Sequence, residues 1–124
     1  MKITDVRIRR INRDGKMKAI MPHLINAGVD VISGLQPPEV GDIDLRETKK
    51  LYGKQAALLG GLDPCYTFDM GNPQLVREAV RQAIADAGPG GAFMLGTAEA
   101  IAPQTPEACL WAAIEACQEF GIYS

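Results

Sequence analysis

Residues 16–36, KMKAIMPHLINAGVDVISGLQ, decide the fold. Met17, Ile20, Met21, Leu24 and Ile25 recur at helical spacing and form one apolar stripe. Pro22 lies inside that stripe, where it kinks or restarts the helix, and Gly28 ends it in a left-handed turn. The stretch 29–32 (VDVI) then reads as a strand, and its end passes into the polar loop SGLQPPEVG. Two more such units follow. Asp44, with Glu47 three residues on, caps a helix that runs to Tyr52 and stops at Gly53, and 56–59 (AALL) is a strand. The stretch GGLDPCYTFDMG reads as a loop, with the Gly60-Gly61 pair explained by turn geometry and tight packing. Asn72 and Pro73 open a helix with Val76, Val80, Ala83, Ile84 and Ala87 inward, and 92–95 (AFML) is a strand. Thr105 caps a last helix that carries Leu110, Ala113, Ile114 and Cys117 on one face. Upstream, residues 3–11 (ITDVRIRRI) alternate in the manner of a strand.

Strand and helix thus alternate four times, the pattern of a parallel α/β sheet. Strands without period-2 alternation are written for burial on both faces. A (β/α)₈ barrel needs roughly 250 residues, so the 124 residues here make half a barrel, in a single domain. A small, open, doubly wound sheet fits the same pattern. Four strands curved as in a barrel leave two free edges and one bare apolar face, so a homodimer or higher homo-oligomer is expected.

Composition narrows the function classes. Hydrophobic residues are 47% and charged residues 23%, which excludes a disordered chain. No apolar run is long enough to span a bilayer, and the charged start MKITDVRIRR is unlike a secretion signal. The 3 cysteines, with no C-x-x-C, argue against a disulfide framework or a zinc ribbon, and a reducing cytoplasm is the expected location. Seven of the 13 Lys and Arg residues fall within the first 18 positions. A solvated basic strand edge explains them, and nucleic-acid binding is not expected because no aromatic residue stands among them.

In parallel α/β folds ligands bind at the carboxyl ends of the strands. Those ends here carry Asn12, Arg13 and Asp14; Ser33 and Gln36; Asp63, Cys65 and Tyr66; Thr97 and Glu99. Asp14, Asp63 and Glu99 are the candidate catalytic acids. Asn12, Arg13, Gln36 and Tyr66 are candidates for binding a small anionic substrate. Asp63-Pro64 also reads as a plain turn. His23, Cys109 and Cys117 lie on helices and read as structural.

The rim residues also carry a resemblance. The run from Asn12 through Ile32, then Leu35-Gln36-Pro37, Tyr52-Gly53, Gly60-Gly61-Leu62-Asp63, the helix from Pro73, Gly88 through Leu95, and Pro103-x-Thr105-Pro106-Glu107 resemble the second half of the uroporphyrinogen decarboxylase superfamily. The likeness covers residues 12–121, and residues 1–11 are an atypical start. It implies a distorted (β/α)₈ barrel and one of two activities: decarboxylation of porphyrinogen acetates, or corrinoid-linked methyl transfer. A non-catalytic half-barrel module is the alternative of another class. In the methyltransferase branch the resemblance implies a zinc site, but its places hold Asn12, Asp14 and Glu99, and oxygen donors suit zinc poorly. No cofactor is therefore expected, and a corrinoid belongs to the methyltransferase alternative alone. In the decarboxylase branch, the acid and arginines that grip the substrate come mainly from the other half of the barrel.

Overall fold

The computed structural model describes residues 16–122. A 3₁₀ turn at Lys18–Ile20 leads into α1 (Met21–Asn26), β1 (Val31–Leu35), α2 (Leu45–Tyr52) and β2 (Ala57–Leu62). A π turn at Pro64–Phe68, α3 (Pro73–Ala87), β3 (Phe93–Thr97) and α4 (Glu107–Phe120) complete it. The strands form one parallel sheet in the order β1-β2-β3, the arrangement of a partial (β/α)₈ barrel. Three of the four expected βα units are therefore present among the described residues. The expected strand at 3–11, and the basic segment around it up to Gly15, lie outside them.

Local chemistry accounts for the boundaries. Pro22 sits in the first turn of α1, where its missing N–H costs nothing, so the helix restarts there after the 3₁₀ turn. The Asp44 carboxylate accepts the Glu47 N–H at 2.8 Å, and α2 stops at Gly53. The Asn72 side chain accepts the Gln74 and Leu75 N–H groups at 3.0 and 3.4 Å, ahead of Pro73. All five residues expected on the inner face of α3 are buried.

Strand β2 runs through Gly60 and Gly61, which the sequence had suggested as loop. Against β2, strand β1 slips register between Ile32 and Leu35, with Gly34 at φ +79° in the bulge. Gly60 lies opposite, at φ +135°, and a Cβ there would stand 2.8 Å from the Leu35 nitrogen. No side chain fits, so close backbone approach explains this glycine.

The sheet is covered on one face. Ile32, Leu58 and Phe93 stand side by side in register; Ile32 and Leu58 belong to the core with Leu45, Val76, Val80 and Ala83, and the partly buried Phe93 packs against it. Val31 and Met94 are 55% and 64% exposed, and Leu59, the register partner of Met94, is left out of the core. Burial on both faces is thus not reached among the described residues, and the second face keeps apolar side chains exposed.

Helix α4 packs Leu110, Ala113 and Cys117 against the core as expected, but is rolled enough to leave Ile114 out. Cys109 and Ala116 are buried, whereas Ile114 is 46% exposed. Positions 109, 113, 116 and 120 are equally a helical stripe, and their mostly small side chains let α4 lie close to α3. The roll is held at its end, where Arg77 on α3 stands 4.9 Å over the Phe120 ring and pairs with Glu119.

Candidate functional site

Parallel pairing sends every strand end the same way. Gln36 follows β1, Asp63 follows β2, and Thr97 closes β3 ahead of Glu99. Leu62 and Thr97 are register partners, and the Ala98 N–H donates to the Leu62 carbonyl at 2.9 Å. The segments carrying Asp63 and Glu99 are therefore adjacent at one rim. The β1 bulge sets where Gln36 leaves the sheet, and Gln36 is 3% exposed. Asn12, Arg13 and Asp14 lie outside the described residues.

Asp63 is the best-defined member of the rim. It is 3% exposed at the end of the central strand. Its Oδ1 accepts the N–H groups of Cys65 and Tyr66, at 2.7 and 3.2 Å, and so caps the π turn. Asp-Pro is thus a turn, as its composition allows, but one with a single residue too many per loop, a form that recurs at functional sites. Tyr66 leaves this turn 52% exposed, with Cys65 exposed beside it. Asp63 Oδ2 is buried and has no hydrogen-bond partner among the described residues. A buried carboxylate oxygen without a donor carries its desolvation cost uncompensated. Glu99 is half-buried in the loop after β3.

A pair that the sequence pattern did not single out joins these segments. Asp69, which follows the π turn, accepts a hydrogen bond from the Thr105 hydroxyl at 2.8 Å. Thr105 is not the cap of α4: Pro106 occupies that position, and no side chain caps the helix. Thr-Pro before an apolar run is the signature of a cap, so the pattern pointed to the nearer partner and missed the spatial one.

Residues 9–120 match the uroporphyrinogen decarboxylase (URO-D) family. The chain belongs to the uroporphyrinogen decarboxylase family. It is similar to the uroporphyrinogen decarboxylase of Dichelobacter nodosus (strain VCS1703A), with 34% identity over 77 residues. That stretch is 62% of this chain and 22% of the relative, so the chain matches only a part of its relative's length. The family match begins before Asn12 and runs past the last rim loop, so all seven candidate residues fall inside it.

Among the described residues no three His, Cys, Asp or Glu side chains stand together as a metal-holding group. Of the three positions implied for zinc, Glu99 is the described one, and a carboxylate replaces the expected thiolate there. A cavity of about 280 Å³ lies on the helix side of the sheet, lined by residues that include Asp44, Gln82 and Asp86. Its carboxylates are already engaged, by the Glu47 N–H and by Arg46 with Gln82. The rim, with its uncompensated Asp63 oxygen, is the better candidate site. Among the described residues no helix is long and apolar enough to cross a membrane.

Proposed function

We propose that this chain supplies the carboxyl-terminal half of a barrel that decarboxylates a porphyrinogen carboxylate, working as a homo-oligomer in the cytoplasm without a cofactor. The observation that carries this is Asp63. A buried acid sits at the ligand-binding end of a parallel sheet, within a stretch that matches the family, and keeps one oxygen without a donor. Loss of carbon dioxide leaves the electron pair of the breaking C–C bond on the substrate, where a protonated pyrrole takes it up. Carboxylates held close to that cation lower the barrier, because they are in place before the charge develops. Asp63, with Asp14 and Glu99, has this role. Arg13 grips a substrate carboxylate, while Asn12, Gln36 and Tyr66 orient the ring.

The open face bearing Val31, Leu59 and Met94 needs cover, which a second copy provides in this proposal. Purified protein given uroporphyrinogen under reducing conditions is expected to yield porphyrinogens with fewer carboxylates, read by fluorescence after oxidation. Asp14→Ala and Glu99→Ala should abolish turnover with the circular dichroism spectrum unchanged. Light scattering should give an oligomer that Met94→Lys dissociates. An oligomer that turns nothing over, or full activity in both alanine variants, overturns the proposal.

A further inference from the structure

Thr105 breaks a local rule. It stands directly before Pro106, where a hydroxyl residue ordinarily caps the helix, yet α4 has no side-chain cap and the hydroxyl goes to Asp69 instead. A residue that forgoes its local partner for a distant one marks a place where another requirement overrides helix stability.

That requirement is visible at the two ends of the loop after β3. The Ala98 N–H at its start bonds to the Leu62 carbonyl, one residue before Asp63. Thr105 at its end bonds to Asp69, immediately after the π turn that Asp63 caps. The loop is folded back on itself there, with the Thr105 N–H donating to the Ala102 carbonyl at 3.0 Å. Asp69 is likewise tied down, its N–H donating to the Pro64 carbonyl at 3.0 Å. Pro106 lies against Gly71, close enough that a Cβ on that glycine would meet the proline ring at 3.6 Å. The segment holding Glu99 is therefore pinned at both ends to the segment holding Asp63.

We infer that Thr105 and Asp69 are positioning residues, a latch that holds the Glu99 loop at a set place against the Asp63 turn. The role rests on the rim being the functional site, but the latch itself is measurable without a substrate.

Amide hydrogen exchange on the full chain is the test. Thr105→Val and Asp69→Ala should each speed exchange across residues 98–105 by about three- to ten-fold, the range expected for one net hydrogen bond. Thr105→Ser, which keeps the hydroxyl, should restore wild-type protection. The double variant Thr105→Val with Asp69→Ala should exchange no faster than either single variant. A rise confined to the first turn of α4 would mean that Thr105 serves the helix alone, and would overturn the latch. So would unchanged exchange in Thr105→Val, or a serine variant that behaves as valine does. Uroporphyrinogen turnover is measured on the same proteins. A wild type without turnover defeats the functional proposal and leaves the exchange result to decide the latch. A wild type with turnover that Thr105→Val leaves unaltered defeats the positioning role.

Discussion

The two faces of the sheet are alike in sequence and opposite in fate. Ile32, Leu58 and Phe93 point into the core under α2 and α3, while Val31, Leu59 and Met94, their immediate neighbours along the strands, stand outside it. Apolar side chains stand on both faces, yet the described helices cover one. The difference shows that apolar composition along a strand does not by itself say which face the neighbouring helices cover.

The largest expected effect tests this contrast directly. Leu58→Ala removes a side chain that is 0% exposed and should cost about 2–5 kcal/mol, measured by urea denaturation. Leu59→Ala, one residue along, should cost about 1 kcal/mol or less at concentrations where the chain is monomeric. Equal costs would mean that the second face is already covered. A Leu59→Ala cost that grows with protein concentration would identify a second copy as the cover.

Elements with local causes were legible from sequence. Asp44, Asn72 and the Pro73 start lie where their caps predict, and the inner face of α3 was readable residue by residue because one period dominates it. What was not legible depended on distant neighbours. Gly60-Gly61 looks like loop composition, and only the approach of Leu35 explains a glycine inside a strand. Two apolar stripes coexist on α4, and contact with Arg77 and Phe120 selects between them. The rim itself followed from parallel topology, since strand ends must converge. The division of labour within Asp63 did not follow, because its two oxygens are distinguished by burial and not by sequence.

An intermediate effect separates those two oxygens. Asp63→Ala deletes the cap of the π turn and should cost about 1–2 kcal/mol. Asp63→Asn keeps an oxygen for the Cys65 and Tyr66 N–H groups and removes a buried charge whose second oxygen has no donor among the described residues. It should therefore match or exceed the wild type in stability while losing turnover. Such an inversion would set the rim apart from the covered face, where every loss of buried contact destabilises. An Asn variant as unstable as the Ala variant would show that the second oxygen also serves the fold.

The smallest effect probes how tightly the covered side is closed. Cys65 is exposed on the rim, Cys117 is partly covered on α4, and Cys109 is fully buried there. Burial pushes the Cys117 thiol above its ordinary range, since the thiolate is the form that loses solvation. The thiolate is the reactive species. Alkylation near neutral pH should therefore modify Cys65 first and Cys117 later, with Cys109 modified only on unfolding, as mass spectrometry would read. The sign of the linkage follows from the raised value. The folded state favours the neutral thiol of Cys117, so this contribution to stability is complete below the unfolded thiol's pKa, about 8.5. It is lost as pH rises through the higher folded value, because the unfolded chain ionises first. A shallow loss of stability above about pH 8.5 that Cys117→Ala removes is the expected result. Cys117 reacting as fast as Cys65 would show that α4 opens readily, and that the face called covered is held less firmly than its burial suggests.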